Sequence, residues 1–184
     1  LNQSGSTLIV LAEHKAPVYA KSGLMLITSK MRRPPPVILD PQIHHANLLN
    51  SILAKIEANK AGADDAIMLD LHGYVAETNA THLFLVRQGE VSTSRVLACP
   101  EGITRATVLE ICAAEKITCH EADLRMDDFY RADEVFCTGT MGELAAVTTI
   151  DGRTVGNGQI GEMTQRLSEQ YARRTATEGV PVVD

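Results

Sequence analysis

The pattern of apolar and polar positions predicts several helices separated by short strands. The clearest signal lies in 44–61, where aliphatic residues recur every three to four positions, which predicts a helix with one buried stripe and Lys55 on its solvent side. The stripe consists of Leu48, Leu49, Ile52, Leu53 and Ile56. Further helices are predicted over 104–116, 127–132 and 160–174. Short apolar runs bounded by turns predict strands at 7–11, 24–28, 66–69, 74–77, 83–87, 91–93, 117–121, 135–138, 146–150 and 153–155.

This order of elements predicts an α+β fold in which several strands form antiparallel hairpins. The prolines at 34–36 predict a stiff connection into the main body, because proline fixes its own backbone and restricts the residue before it. We expect 30–174 to form one domain and 175–184 to be a tail. We expect 1–29 to be a linker or the remnant of an adjoining small domain.

Composition and charge narrow the classes of function. The chain has 184 residues, 45% of them hydrophobic, and a formal net charge of −6. An acidic chain argues against nucleic-acid binding, which requires basic clusters. No apolar run approaches the roughly 20 residues that span a bilayer, and the start carries no leader pattern. The four cysteines show no metal-ligand spacing, so we expect no metal and a reducing compartment, cytoplasmic or an organelle matrix, rather than secretion.

Two loops have the chemistry of anion sites. The segment 102–105 enters a predicted helix, where exposed backbone N–H groups and the helix dipole favour a phosphate, and Thr104 can cap the helix. The segment 138–143 is a turn rich in glycine and threonine, which can direct several donors at one anion. Each loop alone is equally compatible with an ordinary helix start or turn.

Three other features carry candidate chemistry. Glu77 ends a predicted strand, as either a solvated carboxylate or the partner of a buried cation, and the solvated interpretation is favoured because unpaired glutamate is rarely buried. The segment 156–161 matches the glycine spacing of dinucleotide-binding loops, but it lacks the following strand that such a site needs. His44 and His45 are adjacent and would point about 100° apart on a helix, so they do not predict a shared metal.

Taken in order, several blocks resemble one family. They are 47–58, 62–70, 73–84, 101–105, 132–140 and the glycine loop at 156–161. Together they resemble class IV aminotransferases, and most closely the branched-chain aminotransferase-like subgroup. The resemblance implies the large domain of the fold-type IV architecture, with mixed and antiparallel sheets in a pseudo-barrel flanked by helices. It also implies pyridoxal 5'-phosphate as cofactor, an amino acid and a 2-oxo acid as substrates, and a dimer or larger assembly.

The resemblance assigns roles residue by residue. Glu77 takes the place of the carboxylate that pairs with the pyridine nitrogen of the cofactor. Ile103 and Thr104 take the place of the phosphate-binding helix start. Thr140 adds a hydroxyl to the same phosphate, and the backbone amides of Thr140 and Met141 face the phosphate or the substrate carboxylate. Arg105 is expected to pair structurally.

The chain departs from the family pattern at three points. His44 stands where the family has the lysine that binds the cofactor covalently, and imidazole cannot form that bond although it can transfer protons. Leu48 replaces a tyrosine, and His82 replaces a common asparagine. We expect the family's small N-terminal domain to be largely absent from these residues.

These departures leave two main hypotheses. The first is a branched-chain aminotransferase-like protein that transfers an amino group to 2-oxoglutarate through pyridoxal phosphate, weakly or not at all in this chain because of His44. The second is a non-catalytic structural or interaction subunit that keeps the fold. An aminodeoxychorismate-lyase-type enzyme and a nucleotide-binding oxidoreductase are more remote alternatives.

Overall fold

The elements of the chain are known from a computed structural model that describes residues 5–14, 18–19 and 22–179. In chain order they are β1 (Leu24–Arg32), α1 (Leu49–Ala61), β2 (Asp65–Leu69), β3 (Val75–Thr78), β4 (His82–Arg87), β5 (Glu90–Ser94), α2 (Ile103–Ala114), β6 (Cys119–Ala122), α3 (Met126–Tyr130), β7 (Glu134–Gly139), β8 (Glu143–Ile150), β9 (Arg153–Thr154) and α4 (Glu162–Thr177). None of the described helices is long and apolar enough to cross a bilayer.

The strands form one mixed sheet in the order β3-β2-β1-β8-β7-β4-β5-β6, with β9 paired to β8. The pairs β2–β3 and β4–β5 are antiparallel, as the spacing of these strands and turns predicts, and the pair β7–β8 is also antiparallel. β1 is parallel to both of its neighbours, and Leu24 lies beside Val147 of β8. The sheet curls into a half-barrel with helices against it, so the predicted α+β fold-type IV architecture is confirmed.

Both faces of the sheet are covered. Successive residues of β4 point to opposite faces, because side chains alternate along a strand. Leu83 and Leu85 join a core cluster with Phe129 of α3, whereas Phe84 joins a second cluster beneath α2 and α4. The rings of Phe84 and Phe136 stack there with centroids 5.0 Å apart. The middle strands are therefore buried on both sides, which explains their nearly continuous apolar sequence.

The predicted buried stripe of the first helix was wrong. α1 begins at Leu49 rather than 44 and turns Ala54 and Ala58 toward the sheet, where they pack with Ala66 and Met68. The five stripe residues lie on the opposite face, with Leu49 61% and Ile52 50% exposed. Small side chains on the inner face allow the helix to approach β1 and β2 closely. The described part of the chain leaves the aliphatic face of α1 exposed.

The N-terminal segment also differs from its prediction. Residues 7–11 form no strand, and Leu8 to Leu11 are exposed. A strand needs a neighbour for its backbone hydrogen bonds, and this apolar run pairs with none of the described strands. The predicted boundary between 29 and 30 falls within β1, and the extent of the domain stays a prediction.

Candidate functional site

Glu77 lies at the end of β3 and is 4% exposed. Its carboxylate forms an ion pair with Arg33, through Oε1. Burial raises the pKa of Glu77 to about 7, although the guanidinium of Arg33 acts in the opposite direction. The solvated interpretation of this carboxylate was therefore wrong, and Glu77 is the partner of a buried cation.

Arg33 reaches the site from the segment that follows β1. Its backbone N–H donates to the carbonyl of Leu69 at 2.9 Å, which fixes the start of the proline segment against β2. Its guanidinium donates to Ser51 Oγ and to the carbonyl of Thr78, both at 3.2 Å. One side chain thus connects Glu77 to the first turn of α1. Sequence reasoning missed Arg33, and the available signal was that a buried Glu77 needs a nearby cation.

His82 begins β4 and lies beside Glu77, with Nε2 3.9 Å from Oε2 of the carboxylate. Nε2 is also 2.7 Å from the carbonyl of Pro100. A carbonyl oxygen only accepts, so Nε2 carries a proton and donates it. Burial lowers the pKa of His82 to about 4, so the ring is neutral near pH 7. His82 therefore adds a dipole rather than a charge to the site.

Gly102 joins His82 to the start of α2. Its φ is +75°, and a Cβ at this position would collide with the imidazole of His82. Only glycine satisfies both the backbone angle and the close approach. The contact brings the N-terminus of α2 against the Glu77–His82 pair.

The first turn of α2 has no side-chain cap. The predicted capping role of Thr104 was wrong, since this residue is buried with its Oγ1 3.5 Å from the Tyr171 hydroxyl. Ile103 is exposed, and its backbone begins the helix. An uncapped helix start leaves N–H groups available to an anion. Arg105 is buried and pairs with Glu121, as expected of a structural residue.

The turn between β7 and β8 lies next to the start of β4, because His82 and Thr138 are register partners. Thr138 is buried, and its Oγ1 has no hydrogen-bond partner among the described residues. Thr140 and Met141 follow in the turn with exposed side chains, and the Met141 carbonyl accepts from Val18 N at 3.1 Å. The pairing of β4 with β7 therefore places this turn beside His82. No hydrogen bond joins the turn to Glu77 among the described residues.

His44 lies in the loop before α1 with its side chain exposed and without a partner among the described residues. No hydrogen bond or ion pair joins it to Glu77 among the described residues. The expected solvent position of Lys55 needs correction, since its ammonium binds Asp65 Oδ1 at 2.9 Å and also the carbonyl of Asp64. Among the described residues, Arg33 and His82 lie within ion-pair distance of the Glu77 carboxylate, and no lysine is paired with it.

The glycine loop at 156–161 has a structural explanation. A Cβ at Gly156 would collide with the backbone of Asp133, and one at Gly161 would collide with Glu134. The Glu134 carboxylate accepts hydrogen bonds from the backbone N–H groups of Met163 and Thr164, at 3.0 and 2.7 Å. A carboxylate thus already occupies the N-terminus of α4. A dinucleotide phosphate has no place there.

A groove of about 500 Å³ lies between β8 and α4. Its lining includes Tyr19, Gly142, Ala146, Thr164 and Ala172, and none of the residues to which the resemblance assigns a role in the site. Among the residues described, no group of three or more potential ligands could hold a metal ion. The candidate site therefore remains the place where Glu77 of β3 and His82 of β4 meet the start of α2.

Comparisons with known proteins agree with this architecture. The family model described as "Amino-transferase class IV" matches residues 1–150. Branched-chain-amino-acid aminotransferase-like protein 2 of Arabidopsis thaliana is 51% identical over 182 residues, which cover 98% of this chain and 33% of that protein. A putative branched-chain-amino-acid aminotransferase of Methanocaldococcus jannaschii is 38% identical over 179 residues, covering 97% of this chain and 62% of the relative.

Solved structures give the same result in three dimensions. The branched-chain aminotransferase from Thermobaculum terrenum, in its PLP-bound holo form, superposes with a TM-score of 0.80 at 31% identity. The match covers 86% of this chain and 54% of that structure, so the chain spans about half of the solved enzyme. Similar sequence and similar fold over most of its length show that the chain belongs to the class IV aminotransferase family, among the branched-chain aminotransferase-like proteins.

Proposed function

We propose that this chain belongs to a protein that transfers amino groups between a branched-chain amino acid and 2-oxoglutarate with pyridoxal phosphate, and that His44 leaves it weak or inactive. The observation that carries the proposal is the buried Glu77 carboxylate beside the start of α2, in a chain similar to enzymes of this activity. The relatives are longer than this chain, so full activity requires parts of the protein outside these residues.

The residues present fit the cofactor on its ring side. Oε1 of Glu77 forms the ion pair with Arg33, while Oε2 lies 3.9 Å from Nε2 of His82. A carboxylate in this setting can keep the pyridine nitrogen protonated. Pyridoxal phosphate, when bound, supplies an electron sink for the substrate. We assign to Glu77 the pairing with the ring nitrogen.

The phosphate side is assigned to two loops. The uncapped N–H groups of Ile103 and Thr104 lie at the positive end of α2, which favours a dianion. Thr140 adds a hydroxyl, and the Thr140 and Met141 amides face the phosphate or the substrate carboxylate. The hydroxyl of buried Thr138 has no hydrogen-bond partner among the described residues, so it is available to a ligand bound next to this turn.

His44 decides how much activity remains. An imidazole cannot bind the cofactor covalently, although it can accept and donate protons near neutral pH. Positioned acid–base catalysis alone contributes about 10²–10⁴-fold in rate. We therefore expect non-covalent cofactor binding and at most weak transamination.

The alternative function is a non-catalytic structural or interaction subunit. The exposed aliphatic face of α1 supports it, since an apolar helix face of this kind favours association with protein. A homo-oligomer or a place in a larger assembly accounts for that face. The four free cysteines support a reducing compartment, either cytoplasm or an organelle matrix.

Borohydride reduction after incubation with pyridoxal phosphate tests the proposal. We expect the wild-type chain to bind the cofactor without covalent labelling, and His44→Lys to gain a visible chromophore that borohydride fixes to the protein. His45→Lys is the matched control, with a lysine one residue away. Covalent labelling of the wild type would overturn the assignment of His44, and a folded His44→Lys protein that stays unlabelled would overturn the site.

A further inference from the structure

Two adjacent arginines, Arg32 at the end of β1 and Arg33 directly after it, have different environments. Arg32 is exposed and donates to nearby backbone carbonyls, including that of Ser29 at 2.9 Å. Arg33 is largely buried, with 12% of its side chain exposed, and its guanidinium contacts Glu77 and Ser51. Its Nε is buried without a partner among the described residues. The buried arginine is therefore directed at the candidate site, whereas its neighbour serves the local backbone.

Arg33 is the cation that acts on Glu77. Among the described residues, Arg33 from the segment after β1 and His82 from β4 lie within ion-pair distance of this carboxylate, and Cys99 from the loop before α2 interacts with it electrostatically. Burial keeps His82 neutral near pH 7, and burial raises the pKa of the Cys99 thiol to about 12. Arg105 acts on His82 and Cys99 and pairs with Glu121. The charge of Glu77 thus depends on one guanidinium.

We propose that Arg33 is a positioning residue that holds Glu77 ionised and oriented, leaving Oε2 to receive the pyridine N–H of the cofactor. The inference rests on the proposed function. Arg33 binds Oε1 and the carbonyl of Thr78, the residue after Glu77, and so fixes the carboxylate from one side. Its bond to Ser51 joins the same cation to α1, which follows the loop that carries His44.

The first experiment measures the ionisation of Glu77 without cofactor. Glutamate labelled with ¹³C at the carboxyl carbon gives a titration curve for each residue, and Glu77→Gln assigns the signal. Removing an opposite charge at this distance raises a carboxyl pKa by about 1–3 units. We expect this upward shift in Arg33→Gln, and a midpoint near that of the wild type in Arg33→Lys.

Arg32→Gln is the control, because it removes the adjacent arginine, which is not paired with Glu77. Circular dichroism confirms that each variant is folded. Should Arg33→Gln fail to fold, Arg33→Lys and Arg33→Met still compare a retained charge with a lost one. An unchanged Glu77 midpoint in a folded variant without charge at position 33 would overturn the inference.

The second experiment adds pyridoxal phosphate labelled with ¹⁵N in the ring. Near pH 7.5, we expect the nitrogen signal of the protonated ring in the wild-type complex and that of the unprotonated ring in Arg33→Gln. Absence of binding to the wild type would overturn the proposed function, and with it the cofactor half of the inference. Equal protonation of the ring in both proteins would overturn the role of Arg33 alone.

Discussion

Two sides of the candidate site differ in how completely this chain builds them. The acid side, formed by Glu77, Arg33 and His82, is buried and held by contacts between β3, β4 and the segment after β1. The proposed open side, to which the family resemblance assigns His44 and Met141, presents exposed side chains in loops. Contacts among the described residues hold the first side in place, whereas the side chains of the second side are exposed in the described structure. Variants on the acid side should therefore change stability most.

Removing the negative charge of Glu77 from the acid side should have the largest effect on stability. Glu77→Gln leaves the Arg33 guanidinium buried without a counterion, and arginine cannot lose its proton to escape. We expect a loss of about 3–5 kcal/mol in the free energy of unfolding at pH 8, measured by urea denaturation. Glu143→Gln, at the exposed first residue of β8, serves as the control. A loss no greater than that of the control would show that the acid side is not held by charge.

Crowding the contact between β4 and α2 should have the next largest effect. Gly102→Ala places a methyl group against His82 and forces alanine into a positive φ, which together cost about 2–4 kcal/mol. Gly152→Ala has nearly the same φ, +74°, but meets open space, so it isolates the backbone cost. Equal thermal destabilisation by the two substitutions would mean that His82 does not pack on this glycine.

The pH dependence of stability should separate the two titratable members of the acid side. The folded pKa of His82 is about 4, below its ordinary value of 6.5, so its stabilising effect is lost as the pH falls through that range. The folded pKa of Glu77 is about 7, above its ordinary 4.5, so its stabilising effect is lost as the pH rises. The two effects oppose each other in wild-type protein between about pH 4.5 and 6.5.

Replacing His82 should reveal the pH-dependent contribution of Glu77 to stability. We compare the change in the free energy of unfolding between pH 7 and pH 4.5, measured by denaturation at each pH. This change should be less unfavourable in His82→Gln than in the wild type, by about 1–3 kcal/mol. His72→Gln replaces an exposed histidine and should follow the wild-type curve. Parallel curves for wild type and His82→Gln would contradict a buried neutral imidazole.

Substitution on the exposed face of α1 should have the smallest effect on stability. Ile52→Ser removes a half-exposed side chain, so we expect a loss below about 1 kcal/mol. Ala54→Leu, on the sheet side of the same helix, overfills a packed contact and should cost about 1–3 kcal/mol. Sedimentation of Ile52→Ser also reports on association through this face. A larger loss for Ile52→Ser than for Ala54→Leu would reverse the assignment of the two faces.

The sequence allowed the fold class and most elements to be predicted, because hairpin turns and apolar runs are local signals. It did not allow the inner face of α1 to be predicted. Leu49, Ile52 and Ile56 form the more apolar stripe, yet Ala54 and Ala58 meet the sheet. Periodicity identifies an apolar face of a helix. It cannot show whether that face packs against the sheet of the same chain or against another surface.

The acid side shows the same limit at the level of single residues. Glu77 was identified through the family resemblance, whereas its isolated position favoured a solvated side chain. Its cation, Arg33, is distant in sequence and carries no motif, so only the parallel pairing of β1 with β2 brings it near. The role of Gly102 likewise depends on His82, which belongs to another element.

The position of β1 has a consequence for biosynthesis. Among the described strands it leaves the ribosome first, yet it lies in the middle of the sheet between β2 and β8, and its residue Leu24 pairs with Val147. Pairing of residues so far apart in sequence is slow, because closing a long loop must precede the contact. The nascent chain therefore exposes one edge of β1 until β8 has been translated. Chaperone capture at this stage should depend on β1 more than on any other described strand.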